Sequence, residues 1–469
     1  MELEIRDLFL KTFSCEIDSM EPISAHGSSR KYFRCYSQKI TCLAAFGNDK
    51  KENIAFIDYA KQLFERGISV PKVYADNLEK GIYLIEDLGN TTLFDLIVLQ
   101  QEGKFLTKDL KQIYYKVIEE LPKIQINGGK NFDYSNAYPR KAFDKQSIAW
   151  DLNYFKYYFL KLSGIEYDEQ DLENDFLVLT NFLLFADDKY FLFRDFQSRN
   201  IMVDSSKISF VDFQGGRKGA LQYDLASLLY DAKANLSPEF REELLEKYLM
   251  ELEKYLEFDK KEFKNLFYGF VYIRIMQAMG AYGFRGYFER KEHFLKSIPY
   301  VLDNLKWLEQ NIKLNINIPT LKAIFKEMIL SSKLREISTQ KLKVTIKSFS
   351  FKKGYPYDLS GNGGGFVFDC RAINNPGRYP EFKFLTGKDQ AVIDFLDKEK
   401  DAHTFFENAL NMVNNSIYTY TKRNFTHLMV CFGCTGGQHR SVYFAEKLTK
   451  VLSQNVDIEI VLEHLEQNK

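Results

Sequence analysis

The chain has 469 residues, 45% hydrophobic and 15% aromatic, with 64 Lys+Arg against 64 Asp+Glu. That length exceeds what one core supports, predicts about three domains or lobes, and with this apolar content excludes a disordered chain. Zero net charge excludes wholesale binding to nucleic acid or an anionic membrane.

The N-terminal MELEIRDLFLKTF is acidic and lacks a signal-peptide core, and no apolar run approaches the roughly 18 residues of a membrane helix. Six scattered cysteines suit reduced thiols, so a cytoplasmic protein with no membrane role is expected. From 22 to 46 the pattern is β-like, two strands joined over the small-residue turn HGSS, which would lie over nucleotide phosphates. A helical period follows at Ile54, Ile57, Ala60, Leu63 and Phe64, with Glu52 in its first turn. A strand at 82–85 then leads into EDLG (86–89), a candidate hinge between two lobes.

After Leu93 the chain turns helical and aromatic, with helices predicted near 109–124, 151–163, 171–186, 224–255 and 261–284, and before Trp307. Between them, 193–216 reads FRDFQSRNIMVDSSKISFVDFQGG. Asp195 is followed five positions later by Asn200, and Asp212 opens a D-F-x-G-like turn after an apolar strand at 208–211. Kinase-type phosphoryl transfer needs these three groups: a carboxylate facing the acceptor hydroxyl, and an Asn and an Asp holding Mg²⁺ against the ATP phosphates. A single Asp is most often a solvated or capping residue; the ordered trio at this spacing is far more specific.

On these stretches, and on SSRKYFR (28–34), GIYLIEDLG (81–89) and YDLASLLYD (223–231), the part from 1 to about 310 resembles the aminoglycoside phosphotransferase superfamily, nearest its sugar and amino-sugar kinases. The resemblance implies an α+β protein-kinase-like two-lobed fold, ATP and Mg²⁺ as cofactors, Asp195 as catalytic base, and Asn200 with Asp212 on the metal. It implies nucleotide contacts at Ser28, Ser29, Arg30, Glu86 and Leu88, and Asp224 as a buttress of the catalytic loop, against the plainer reading of a helix-capping carboxylate. Two departures stand out. Phe193 occupies the usual His position two residues before the base, and the strand TCLAAF (41–46) lacks the usual Lys, leaving Lys39, Arg30 or Arg34 to approach the phosphates.

A joint is expected at 313–341, formed largely by a linker helix that separates a kinase domain at 1–312 (N-lobe 1–88, C-lobe 89–312) from a separate compact α/β domain at 342–469. Nine Lys/Arg against two Asp/Glu lie between 320 and 353; a solvated helix and strand edge account for them, with a small basic face for RNA as the sharper alternative. Strands are predicted at 344–351, 366–371, 427–432 and 458–462, and helices at 389–399, 403–419 and 441–453. The run GNGGG (361–365) precedes a strand and reads as a turn.

The informative loop is GCTGGQHRSV (433–442), which leaves an apolar strand, passes paired glycines and enters a helix. Backbone N–H groups and a helix N-terminus would converge there on an anion, with His439 and Arg440 as side-chain donors. Three other readings compete: Cys434 and Arg440 have the C-x5-R spacing of cysteine phosphatases; Cys431, Cys434, His427 and His439 could be counted as Zn²⁺ ligands; or the cysteines are packing. With SFSFKKGYPYD (348–358), FVFDCRAINNP (366–376) and LTGKDQAV (385–392), the segment 342–455 resembles the C-terminal domain of the RNase adapter protein RapZ family, which binds glucosamine 6-phosphate and reports amino-sugar supply to RNA regulation. That implies sugar-phosphate contacts at Cys434, Thr435, Gly436, Gly437, Gln438, His439, Arg440 and Ser441. The family's own N-terminal Walker loop has no match here, which disfavours the RNA-adapter role. The expected whole is an ATP- and Mg²⁺-dependent kinase of a sugar or amino-sugar hydroxyl fused to a sugar-phosphate-binding domain, with oligomerisation left open. The alternatives are an RNA-linked regulator with a nucleotide-sensing kinase domain, or a kinase–phosphatase fusion.

Overall fold

A computed structural model describes residues 1–23, 30–100, 106–204, 207–289, 291–336, 341–358, 360, 364–422, 425–455 and 457–467. The chain divides into two compact units, Met1–Ala281 with Tyr300–Leu330, and Tyr282–Pro299 with Ser331–Lys469.

In the first unit an N-terminal sheet has the order β1-β2-β3-β5-β4, all antiparallel: β1 Ser19–Ile23, β2 Lys31–Tyr36, β3 Thr41–Phe46, β4 Val73–Asn77 and β5 Ile82–Glu86. Strand alternation sends Phe33, Cys35, Ala44, Ile82 and Leu84 to one face, where Ile5 and Phe9 of helix Glu2–Phe13 cover them. On the other face Phe56 of helix Lys50–Glu65 packs against Tyr83, ring centroids 5.1 Å apart. That helix starts where Asp49 caps it, accepting the N–H groups of Lys51 and Glu52 at 2.9 and 3.1 Å. The hinge 86–89 leads into a helical lobe, so this unit has the two-lobed, protein-kinase-like layout with a mixed α/β composition.

Most helices fall where periodicity places them, with two differences. The run at 224–255 is two helices, Leu221–Leu229 and Pro238–Leu252, because Ser237 caps a new start and Pro238 suits its first position. The helix expected from 151 begins earlier, at Lys145, and continues past Phe155 as a π-helical turn, Lys156–Leu160. Two small antiparallel strand pairs carry the candidate site: β6 Tyr190–Leu192 pairs with β9 Arg217–Gly219, and between them β7 Ile201–Asp204 pairs with β8 Lys207–Phe210 as a hairpin. Helix Pro319–Leu330 packs on this unit: the Leu321 N–H donates to Asp175 at 2.7 Å, and Phe325 stacks on Tyr272.

The second unit holds a parallel sheet, order β11-β12-β10-β13, from β10 Leu342–Ser350, β11 Gly365–Asp369, β12 His427–Cys434 and β13 Ile458–His464. Helices Gln390–Leu396, Lys400–Lys422 and Arg440–Leu452 contribute Val392, Phe406, Val413, Phe444 and Leu448 to a core with Val344, Ile346, Val430 and Phe432. A smaller cluster, Phe349, Met429 and Cys431, lies on the opposite strand face.

Candidate functional site

The hairpin β7–β8 returns Asp212 beside the loop that leaves β6. Asn200 Nδ2 donates to the Asp195 carbonyl at 2.8 Å and to Asp212 Oδ2 at 3.2 Å, so one amide binds the three residues into a single cluster. Asp212 Oδ1 accepts from Gln214 Nε2 at 2.8 Å. Asp212 has φ +68° and Arg194 φ +82°, left-handed conformations that a side chain resists. Each is held by several bonds. Arg194 N–H donates to Asp224 Oδ1 at 3.0 Å and Phe193 N–H to Asp224 Oδ2 at 2.7 Å, while the Arg194 guanidinium forks onto Asp151 at 2.6 and 2.8 Å and also donates to the Tyr223 hydroxyl.

Asp224 makes no capping bond, since helix Leu221–Leu229 has no side-chain cap; it is fully buried and bonds the catalytic-type loop from behind. Burial pushes its carboxyl up to about 7, against the pull of the two backbone donors. Ser198 Oγ donates to Asp231 at 2.6 Å, so Tyr223, Asp224 and Asp231 of one sequence stretch all anchor the loop carrying Asp195. Phe193, in place of the usual His, is fully buried against Phe196 and Phe213, and Phe213 stacks on Phe56. An aromatic chain thus connects the loop to the N-terminal lobe at the position the sequence gives to Phe193 in place of the usual His.

Asp212 is partly open to solvent, yet protein crowds it from behind. That enclosure first, and the charge of Asp195 second, raise its carboxyl above the ordinary range. A cation at Asp212 would reverse the shift. The donors there, the Asp212 carboxylate and the Asn200 amide, are hard oxygens, which suits Mg²⁺. Among the described residues no group of three or more His, Cys, Asp or Glu forms a metal cage, and Mg²⁺ characteristically takes one or two carboxylates with substrate phosphates and water completing its octahedron.

The three basic candidates separate. Arg34 forks onto Asp87 at 2.6 and 2.9 Å and donates to the Gly89 carbonyl, tying β2 to the hinge. Lys39 is exposed on the β2–β3 turn. Arg30, 4% exposed, pairs with Glu52 at 2.9 Å, and Glu52 also accepts from Gln214. The Arg30–Glu52 pair therefore stands beside Asp212, linking the start of β2 to helix Lys50–Glu65, as a strand-to-helix Lys–Glu pair does in kinases. A cavity of about 320 Å³ is lined by Glu86, Leu88 and Met202, among others, below the hinge. Ser28 and Ser29 lie outside the described residues. Sequence reasoning missed Asp151, Glu52 as a partner, and Gln214. An acid in the first turn of the helix after β3 was a usable signal for Glu52; nothing in the sequence marks Asp151.

In the second unit the loop after β12 turns at Gly437, φ +70°, and enters helix Arg440–Leu452. Gly437 N–H lies 3.2 Å from Cys434 Sγ, and Ser441 Oγ 3.1 Å from the same sulfur. Thr435 and Gly436 are exposed, and the Thr435 carbonyl accepts from Ser350. The polar side chains are committed to backbone. Arg440 Nη1 donates to the carbonyls of Arg371 and Ile373, His439 Nε2 lies 2.8 Å from the Phe382 carbonyl, and Gln438 donates to Lys383 and Leu385. The Arg440 Nε remains buried without a protein acceptor. Cys431 and Cys434 sit on opposite faces of β12, Cys431 in the small apolar cluster and Cys434 in the main core, so a single Zn²⁺ cannot take both. Burial pushes the Cys431 thiol up to about 12.

Comparison with known proteins places both parts. A nucleotide-binding protein of Actinobacillus pleuropneumoniae serotype 5b is 38% identical over 136 residues, 29% of this chain and 46% of that protein. One of Nitrosomonas europaea is 39% identical over 128 residues, 27% and 41%. The chain thus matches less than half the length of these curated relatives. Among solved structures, a choline kinase from Cryptosporidium parvum is 13% identical with a TM-score of 0.44, over 66% of this chain and 93% of that one. The choline kinase LicA of Streptococcus pneumoniae is 14% identical with a TM-score of 0.40, over 72% and 98%. No helix among the described residues is long and apolar enough to cross a membrane. With residues 19–259 matching the model of the phosphotransferase enzyme family and 342–468 that of the RapZ C-terminal domain, the chain belongs to the phosphotransferase enzyme family and carries a RapZ C-terminal domain after its kinase-like part.

Proposed function

We propose that this chain is an ATP- and Mg²⁺-dependent kinase of a small-molecule hydroxyl, a sugar or amino sugar, fused to a domain that binds a sugar phosphate. The observation that carries the kinase reading is the single cluster of Asp195, Asn200 and Asp212, bridged by the Asn200 amide. Asn200 and Asp212 would hold Mg²⁺, which when bound draws charge from the ATP phosphates. Arg30, kept in place by Glu52, contacts phosphate oxygens, and Glu86 and Leu88 border the adenine. Asp195 accepts the acceptor's hydroxyl proton. The test is incubation of the protein with ATP, Mg²⁺ and a panel of sugars, amino sugars, choline and aminoglycosides, with ADP release as readout. ADP formation dependent on a sugar or amino sugar is expected; turnover of choline or aminoglycosides alone would replace the acceptor class, and ATP binding without any turnover would favour a nucleotide-sensing role.

At the second unit, the buried and unmatched Arg440 Nε beside a glycine turn supports a phosphate cradle. The cysteine-phosphatase reading is kept alive by the Gly437 N–H and Ser441 hydroxyl that flank Cys434 Sγ. Calorimetry with glucosamine 6-phosphate, beside a phosphate-release assay, separates them. Arg440→Ala is expected to weaken binding by about 1.5–3 kcal/mol through a lost charge-assisted contact, while Cys434→Ser changes affinity little. Phosphate release that vanishes in Cys434→Ser would establish the phosphatase instead.

A further inference from the structure

Beside Asp195 the protein encloses two arginines, one buried and one partly buried, with no carboxylate among the described residues in contact with either. Arg217, on β9, is 6% exposed, and its Nε donates to the Gly215 carbonyl at 3.0 Å. Gly215 itself lies against Asp195, since a Cβ built there would stand 3.8 Å from Asp195 Oδ2. Arg274, on helix Lys260–Gly283, is partly buried and also feels the charge of Asp195. One of its terminal nitrogens lies 3.4 Å from the Tyr223 hydroxyl and also donates to Gln277, while its Nε is buried without an acceptor. The same Tyr223 oxygen receives Arg194, so two guanidinium groups converge on one phenol.

Apart from Asp195, whose charge reaches both arginines, the nearby carboxylates are already engaged. Asp151 takes the fork of Arg194, and Asp224 is filled by the N–H groups of Phe193 and Arg194 and by Gln125. Among the described residues neither Arg217 nor Arg274 has a carboxylate oxygen within 4.0 Å. An enclosed arginine with no carboxylate in contact is costly, because the charge cannot be shed and desolvation is only partly compensated.

We propose that the acceptor of this kinase carries an anionic group, a phosphate or carboxylate on the same small sugar that presents the hydroxyl, and that Arg217 and Arg274 hold that group beside Asp195. The proposal rests on the kinase reading above and narrows its substrate. The acceptor oxygen forms its bond to the γ-phosphorus of Mg²⁺·ATP as the bond from that phosphorus to the bridging oxygen breaks. ADP leaves with the electron pair, and the hydroxyl proton passes to Asp195. A planar guanidinium matches either anion in bidentate fashion, and a cationic acceptor would instead meet like charge.

Matched acceptors test this on the full chain with Mg²⁺·ATP: glucose against glucuronate and glucose 6-phosphate, glucosamine against glucosamine 6-phosphate, and choline. The expected result is a kcat/KM at least ten-fold higher for the anionic member of a pair, carried by KM; whether the acid or the phosphate leads identifies the anion. In Arg217→Gln and Arg274→Gln the anionic-to-neutral ratio is expected to fall at least ten-fold, and Arg217→Lys to restore part of it. A merely structural role would lower every acceptor alike and leave the ratio in place. Preference for a neutral or cationic acceptor, or a ratio untouched by both variants, overturns the proposal while the kinase reading stands. If no acceptor turns over, the kinase reading fails, and the anion site is judged by binding. With Mg²⁺ and a non-hydrolysable ATP analogue present, the calorimetric transition that the analogue shifts should rise further with a sugar phosphate or sugar acid in the wild type and not in Arg217→Gln; no rise, or an equal rise in both, overturns it.

Discussion

Asp195→Asn is expected to lower kcat by roughly 10²–10⁴-fold, the usual range for removing a general base, while Mg²⁺·ATP still binds. The reason is geometric. Asp195 meets Asn200, a proposed metal ligand, through its backbone carbonyl, and its carboxylate is proposed to face the acceptor. The substitution keeps the shape and removes only the proton acceptor. Asp212→Asn should behave differently: its carboxylate sits between Asn200 and Gln214 and would face the cation, so nucleotide affinity falls along with turnover. Equilibrium titration with a fluorescent ATP analogue across Mg²⁺ concentrations, beside steady-state rates, reads both variants. Wild-type turnover in the two would show that the site lies elsewhere.

Asp151→Ala is expected to destabilise the first unit by about 3–5 kcal/mol, the range for breaking a buried ion pair from one side. Asp151 and Arg194 are both largely buried, and Arg194 cannot neutralise itself, because its partner and the charge of Asp195 hold the guanidinium protonated. Loss of Asp151 would also release Arg194 from its left-handed conformation, since the fork is one of the bonds that hold it there. Calorimetry of the full chain, read on the transition that an ATP analogue shifts, gives the measurement. The double variant Asp151→Leu with Arg194→Met should recover most of the loss, as apolar replacement of buried pairs often does. A single variant within about 1 kcal/mol of wild type would show that the pair is no more than a surface ion pair in energy.

Much of the kinase-like part is legible along the sequence because its signals are local. Five-residue spacing from Asp195 to Asn200 is spanned by one turn, and an apolar strand ending at a D-F-x-G-like turn returns Asp212 by a hairpin whose partners are neighbours in sequence. Periodicities of two and 3.6 likewise place the sheet and most helices. The boundary at 221–252 was misread because a buried helix and its successor share one apolar period, and only the Ser237–Pro238 start divides them.

What the sequence by itself determined, then, is the order of the lobes, the Asp195, Asn200 and Asp212 cluster, and the glycine loop after β12. Tertiary structure alone decided which charges meet. Arg30, Arg34 and Lys39 are equivalent on paper, since all lie in or beside one hairpin. Alternation along β2, the approach of helix Lys50–Glu65 and the position of the hinge assign Arg30 to Glu52, Arg34 to Asp87 and Lys39 to solvent. Arg440 and His439 read as phosphate donors from their place in the loop, yet the fold turns their side chains onto the carbonyls of Arg371, Ile373 and Phe382, from segments more than fifty residues away. Arg194, held by Asp151, and Arg274 come from separate elements and meet only because those elements pack around the Tyr223 hydroxyl. Side-chain electrostatics depends on distances of a few ångströms between such elements, and no one-dimensional pattern encodes them.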